Sequence, residues 1–368
     1  MASRVIGIVG TGNISAAYLT IARDLGLFQV KAVSDLDLSR AQTQASEYST
    51  QAVTLEALLA DPEIVAVVNL TPPAAHAEVS LAALRAGKHV YSEKPLAVTR
   101  GDGQAILREA AERGLRVGCA PDTFLGAGLQ TARELLDSGV IGRPVAATAF
   151  FMGSGPEAWH PNPDFFFQPG AGPLFDMGPY YLTTLIHMLG GVERVAGSAV
   201  KAVPERTIGS GVRQGERIAV NTPTHVTAQL SFVGGAVATF IASFDVAASD
   251  LPRTEIYGTE GTLSLPDPNT FGGLLKLQCK GAAEWETVEL TRPFADNARG
   301  IGLADMLDAA ARGTPHRASG ELAYHVLDVM QTIFDAADQG RTLKVASHAE
   351  RPEALPARPA WTPDSATA

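Results

Sequence analysis

The feature that most narrows the fold is an alternation along the first third of the chain. Short, mostly apolar runs at Val5–Val9, Val30–Ser34, Ile64–Leu70, His89–Tyr91 and Leu115–Gly118 read as strands. Between them, Ile14–Leu25, Leu38–Tyr48, Ala74–Ala86 and Thr99–Arg113 carry helical patterns. Strands this apolar need cover on both faces, and an intervening helix after each supplies it, so the sheet should be parallel and doubly wound. Gly87 and Gly114 stand where helix C-caps are wanted, and Thr99 with Asp102 forms an N-terminal box. The expectation is an α/β domain of the Rossmann type over residues 1–121.

After Gly118 the pattern changes. A helix over Leu129–Asp137 and an extended run at Val145–Met152 lead into a long loop, Gly153–Leu174, rich in Gly, Pro and aromatics. A second helix runs from about Asp176 to Leu189, followed mostly by strands: Val195–Lys201, His225–Phe232, Val237–Phe244, Thr254–Tyr257, Thr262–Leu265, Leu274–Gln278 and Glu286–Leu290. Tight glycine turns at Gly234-Gly235 and Gly258-Thr259-Glu260-Gly261 predict antiparallel hairpins. Helices over Leu303–Arg312 and Glu321–Asp338 close the pattern. Residues 122–350 therefore read as an α+β domain with a large open, mostly antiparallel sheet, and residues 351–368 as an irregular, proline-rich tail.

The length of 368 residues exceeds what one core usually serves. With 46% hydrophobic and 18% charged residues, the chain can bury that much core. A net charge of −10 opposes phosphate backbones and anionic lipid, so no nucleic-acid partner is expected. Cys119 and Cys279 fit no metal-ligand spacing, which predicts no metal and a reduced, cytoplasmic protein. The apolar run Val5–Val9 breaks at Gly10, too soon for a signal sequence, and no uncharged stretch is long enough to span a membrane.

Gly10-Thr11-Gly12-Asn13-Ile14-Ser15 follows the first strand and opens a helix. Gly10 permits a tight turn, Gly12 lets a pyrophosphate approach the backbone, and the helix start at Asn13 and Ile14 offers N–H groups to it. Ser15 replaces the usual third glycine. Asp35, at the end of the second strand, can accept the ribose hydroxyls of NAD, or it is an ordinary turn aspartate. Arg40 with Ser34 could instead grip the extra phosphate of NADP, so NAD is expected and NADP remains possible. Thr71-Pro72 follows the strand Ile64–Leu70 with His76 just beyond, either a cofactor contact or a solvated histidine. Glu93-Lys94-Pro95 follows the strand His89–Tyr91. A lysine there would reach the nicotinamide end of the crevice, where its cation can polarise a carbonyl or stabilise an alkoxide.

Gly7-Ile8-Val9-Gly10-Thr11-Gly12-Asn13 together with His89-Val90-Tyr91-Ser92-Glu93-Lys94-Pro95 resembles the signature of the Gfo/Idh/MocA oxidoreductases. This is the family of glucose-fructose oxidoreductase, inositol dehydrogenases and dimeric dihydrodiol dehydrogenase. The likeness extends to Ile256-Tyr257-Gly258-Thr259-Glu260-Gly261-Thr262 and to Gly170–Tyr180, which matches the family's Gly-rich lead into an Asp-x-Gly-x-(His or Tyr) helix start. The resemblance implies an NAD(P)-dependent dehydrogenase or reductase acting on a hydroxyl-bearing carbon of a sugar, polyol or cyclic diol. It gives catalytic roles to Lys94, Asp176 and Tyr180. Asp176 and Tyr180 are four apart and share a helical face; Tyr180 would exchange the proton, Lys94 favouring its phenolate, and Asp176 would orient the substrate or the lysine. The alternative for this pair is a helix cap and a core tyrosine.

Asp122, after the last Rossmann strand, and His160, in the long loop, are further substrate-binding candidates; the loop could equally be a lid or a subunit contact. His187 reads as a core histidine. Two other functions share this architecture, a redox-assisted NAD-dependent glycosidase and a non-catalytic dinucleotide sensor. The apolar strands Val226–Phe232 and Val237–Phe244 are expected to need cover on both faces, which predicts a homodimer or homotetramer joined through the open sheet.

Overall fold

The computed structural model describes residues 4–362. It falls into two compact units. One gathers the chain through Gln130, the segment Thr291–Leu327 and the chain from Pro352; the other holds Thr131–Leu290 and Asp328–Arg351.

The first unit is built on β1 (Val5–Val9), α1 (Ser15–Leu25), β2 (Gln29–Ser34), α2 (Leu38–Glu47), β3 (Gln51–Ala52), α3 (Leu55–Ala60), β4 (Ala66–Asn69), α4 (His76–Arg85), β5 (His89–Ser92), α5 (Arg100–Arg113) and β6 (Val117–Cys119). The six strands pair parallel in the order β3-β2-β1-β4-β5-β6. Each interior strand is buried because Ile6, Ile8, Val67, Val68 and Val90 carry side chains that water disfavours on either face. The short pair β3 and α3 is absent from the sequence reading, being two and six residues long. Between β1 and β4 the winding of the chain reverses, and open α/β sheets bind ligands at such a switch point, outside the strands' carboxyl ends.

Next come α6 (Ala127–Asp137), β7 (Pro144–Met152), α7 (Gly172–Leu189), β8 (Val192–Val200), β9 (Glu205–Thr207), β10 (Arg217–Ala219), β11 (His225–Phe232), β12 (Val237–Ser243), β13 (Thr254–Gly258), β14 (Gly261–Leu265), β15 (Leu275–Cys279), β16 (Glu286–Val288), α8 (Ile301–Arg312), α9 (Gly320–Gln339) and β17 (Leu343–Lys344). Nine of these strands form the second unit's sheet, in the order β16-β15-β14-β13-β7-β12-β11-β8-β17. Only the β7–β12 pair is parallel. The α7 helix packs on β7, β11 and β12 and is buried almost all round, as its mostly apolar sequence requires.

Two expectations are corrected here. Strands β11 and β12 alternate rather than being apolar throughout: Val226, Ala228, Leu230, Ala238 and Phe240 are buried, whereas Thr227, Gln229, Ser231 and Thr239 lie on the opposite face. That face can meet water, so the argument that it must be covered does not hold. The unit boundary also differs from the expected 121/122 and 350/351 breaks. The α8 helix packs on β6, so Thr291–Leu327 joins the first unit. The tail is irregular as far as Thr362 but packed, with Leu355 and Trp361 buried and Trp361 stacked on Phe294 at 5.8 Å. Residues 363–368 lie outside the described residues.

Candidate active site

In the first unit, the carboxyl ends of β1, β2, β4 and β5 carry most of the expected residues. Gly10 has φ +96°, and a Cβ there would stand 2.7 Å from the Leu70 backbone, so only glycine fits this turn. A Cβ at Gly12 would meet nothing within 4 Å. Its glycine is therefore not demanded by the protein's own packing, and the space in front of it is open to a ligand. Asn13 is exposed and Ile14 half-buried at the start of α1, which has no side-chain cap and no acidic residue in its first turn. Ser15, in the third-glycine position, is buried and donates its hydroxyl to the Gly12 carbonyl at 2.7 Å. An uncapped helix start with open glycine backbone before it suits a pyrophosphate.

Asp35 follows directly at the end of β2. Its Oδ2 accepts the Thr11 N–H at 2.7 Å and the Thr11 hydroxyl at 2.8 Å, and its Oδ1 accepts the Asp37 N–H at 2.9 Å and Arg40 Nη2 at 3.0 Å. Burial alone would raise its pKa, but these N–H and hydroxyl bonds and the Arg40 charge hold it below the usual carboxylate value. Asp35 is thus ionised, and it ties the glycine turn to the end of β2. Arg40, weighed above as a 2′-phosphate ligand, is spent on that carboxylate.

At the ends of β4 and β5, a polar network fixes the backbone. Asn69, fully buried, donates from Nδ2 to the His76 carbonyl at 3.0 Å and to Ser80 at 3.1 Å, and its Oδ1 accepts the Thr71 hydroxyl at 2.7 Å. Thr71 is half-buried and Pro72 exposed. His76 is 1% exposed, with Nδ1 2.7 Å from the Pro95 carbonyl and Nε2 2.8 Å from the Thr71 carbonyl. The direct cofactor contact expected of His76 is therefore replaced by a bracing role, clamping the Thr71 turn to the Lys94-Pro95 turn. Burial pushes its pKa below the ordinary imidazole value.

Glu93 accepts the buried Tyr18 hydroxyl on Oε1 at 3.0 Å and the Lys94 N–H on Oε2 at 3.1 Å. The glutamate thereby holds the backbone from which the half-buried Lys94 projects. Asp122 also departs from expectation. It is 1% exposed, and its Oδ2 accepts the Gly300 N–H at 2.8 Å and the Gly302 N–H at 3.0 Å, at the start of α8. Its polar atoms serve the fold, and substrate binding is not the role this geometry gives it. Burial raises its pKa.

In the second unit, α7 begins at Gly172 with Pro173 in its first turn, four residues before the expected start. Proline is tolerated there because the first N–H groups have no helical partner. Asp176 is consequently inside the helix rather than its cap. Asp176 is half-buried and Tyr180, one turn on, is buried. His187 is fully buried, with Nδ1 3.3 Å from Arg133 Nη1, and its carbonyl accepts from Arg133 at 2.9 Å and Arg351 at 3.0 Å, as a core histidine should. His160 is half-buried in the loop between β7 and α7, its Nδ1 accepting the Asn162 N–H at 3.1 Å.

Residues that the sequence reading passed over include Thr11, Tyr18, Asn69 and Arg206. Asn69 had a visible signal, a lone amide closing an apolar strand. The others act through contacts distant in sequence. Arg206 is a half-buried arginine paired with Glu157 of the long loop and with Asp245 beyond β12. Among the described residues no group of metal-ligating side chains gathers, and no helix is long and apolar enough to cross a membrane.

Comparison with known proteins agrees with this geometry. Residues 4–120 match the oxidoreductase family with an NAD-binding Rossmann fold, and residues 129–264 match the GFO/IDH/MocA C-terminal domain. A dTDP-3,4-didehydro-2,6-dideoxy-alpha-D-glucose 3-reductase of Streptomyces antibioticus is 30% identical over 77% of this chain and 89% of its own length. A 1,5-anhydro-D-fructose reductase of Ensifer adhaerens is 29% identical over 66% and 72%. A crystal structure of an NAD binding oxidoreductase from Klebsiella pneumoniae superposes with a TM-score of 0.80 at 23% identity, covering 94% of this chain and all of that one. None of these relatives is named as a glycosidase or a regulator, so those two alternatives gain no support. The chain belongs to the Gfo/Idh/MocA family and is an NAD-binding oxidoreductase of that family.

Proposed function

We propose that this enzyme interconverts a secondary alcohol and a ketone on the ring of a sugar or cyclic polyol, with NAD preferred to NADP. The observation that carries the reading is the polar frame at the strand ends. Glu93, bound by the Tyr18 hydroxyl and the Lys94 N–H, holds the lysine's backbone beside the turns that Gly10, Asn69 and His76 fix. Such a frame fixes the backbone from which the cation projects, which lowers the cost of aiming it at a substrate. The named relatives, two sugar reductases among them, support the substrate class.

Gly10, Gly12 and the start of α1 would hold the pyrophosphate, and Asp35 the adenosine ribose. When bound, the nicotinamide accepts or returns the hydride. Tyr180 takes the proton of the substrate hydroxyl during oxidation and returns it during reduction. The Lys94 ammonium lowers the cost of negative charge on the oxygen between those two states. Asp176, one helical turn from Tyr180, orients the substrate hydroxyl or the lysine. A cytoplasmic site of action suits the free thiols of Cys119 and Cys279. Homodimers or homotetramers would use the open sheet face, where Val237 is exposed and Ile241 half-buried.

The test is a panel of pyranoses, 1,5-anhydro-D-fructose, inositols and their keto forms, followed by NADH absorbance. Turnover of a cyclic polyol or its ketone is expected. Turnover confined to acyclic or non-hydroxylated substrates would overturn the reading.

A further inference from the structure

The loop between β7 and α7 holds two large aromatics outside the protein on a frame that cannot easily let them in. Trp159 is 66% exposed and Phe165 51% exposed. Between them stands His160, whose ring lies edge-on to Trp159 at 5.5 Å and to Phe165 at 5.5 Å. The frame is charged and hydrogen-bonded: Arg213 grips Asp164 with two bonds, at 2.5 and 3.1 Å, and Arg206 grips Glu157 and Asp245. Beneath it, Phe167 is anchored in a small core with Ile208, Ile218 and Phe244. Single exposed hydrophobic residues need no explanation, but two aromatics presented together by a braced loop do.

The polar group in their midst identifies what they suit. The Asn162 N–H donates to His160 Nδ1, so the neutral ring carries its proton on Nε2. A wholly apolar occupant would leave that N–H without an acceptor, at a cost in affinity. A sugar or cyclitol ring has an apolar face of C–H groups and a rim of hydroxyl oxygens, matching exposed aromatic rings on either side of one donor, of which Phe165 is backed by Phe166 at 4.0 Å. The same loop runs directly into α7, and its turn Asp164–Phe167 packs against that helix, which carries Asp176 and Tyr180.

We propose that Trp159, His160 and Phe165 form a platform for the C–H face of a pyranose or cyclitol ring, with His160 Nε2–H donating to a ring or hydroxyl oxygen. The platform selects cyclic over open-chain polyols. It rests on the function proposed above and adds where the ring is recognised.

The experiment uses the full chain loaded with the oxidation state of the cofactor that cannot react. Binding of 1,5-anhydro-D-fructose, myo-inositol and D-glucose is followed by saturation-transfer NMR and titration, for the wild type and for Trp159→Ala, Phe165→Ala, His160→Ala and Trp159→Phe. Each alanine variant should weaken ring binding about tenfold and raise KM more than it lowers kcat, and Trp159→Phe should recover most of the loss. Melting temperature, NADH affinity and oligomeric state should not move. Wild-type binding with alanine variants that bind equally well would overturn the platform and leave the proposed function standing. Variants that shift the oligomeric state would overturn it too, by making the rings a subunit contact. A wild type that neither binds nor turns over any cyclic sugar or polyol would overturn both.

Discussion

Asp35 already accepts four hydrogen bonds, from Thr11 twice, Asp37 and Arg40, so the ribose proposed to bind there would have to displace at least one of them. Arg40 is the exposed and therefore the most easily released partner. Its departure would leave a negative carboxylate at the end of β2, which, with the adenosine ribose there as proposed, favours a ribose diol over a 2′-phosphate. Fluorescence titration should show tighter binding of NADH than NADPH, and Asp35→Ala should narrow the difference by an order of magnitude or more. A wild type that prefers NADPH would contradict this and make Arg40 the determinant. Asp122 offers a second test at this scale. Asp122→Asn keeps an acceptor for the Gly300 and Gly302 N–H groups; Asp122→Ala leaves both buried and unpaired, at about 1–3 kcal/mol each. Denaturant unfolding should rank wild type and the Asn variant close together and the Ala variant well below. Equal stability of all three would return Asp122 to the substrate site.

At the level of elements, the doubly wound sheet was legible because mostly apolar strands and helical periods leave few other solutions. The glycine turn, Asp35 and Glu93-Lys94 were legible for the same reason, since each directly follows a strand. What escaped was whatever rests on few residues or on distant contacts. The strands β9 and β10 are three residues each and carry charges, and α3 is a single short run. The start of α7 was misplaced because Gly172, Pro173 and Pro179 argue locally against helix, while its buried apolar surface decides otherwise. Arg206 and its carboxylates were invisible as a unit, lying at positions 157, 206 and 245. Replacing Arg206 by Met strands two mostly buried carboxylates and should cost about 3–5 kcal/mol. Calorimetry that finds less than about 1 kcal/mol would show the loop to be held by Asp164–Arg213 alone.

For the whole molecule, pH provides a readout of the first unit. His76, His89 and His316 all lie in it, and burial pushes each below the ordinary imidazole pKa. The unfolded chain therefore takes up protons first as pH falls. The stability these rings contribute is complete above about pH 6.5 and is lost as pH drops below it toward the folded-state values. Denaturant midpoints should fall between about pH 7.5 and 5.5, and His316→Gln should lessen the slope. A flat profile would contradict the burial of these rings. Light scattering should find a dimer or tetramer; monomer at micromolar protein would exclude association through the open sheet, whose outer face is more polar than its strands first suggested.

The central proposal is that Lys94 and Tyr180 both act on the substrate hydroxyl. It is tested most directly by a double-mutant cycle on NADH formation in single turnovers. Tyr180→Phe and Lys94→Met should each slow the step about 100- to 10,000-fold, leaving NADH affinity near that of the wild type, and the double variant should be little worse than the slower single one. Near-full activity of Tyr180→Phe, or losses that multiply in the double variant, would contradict the account.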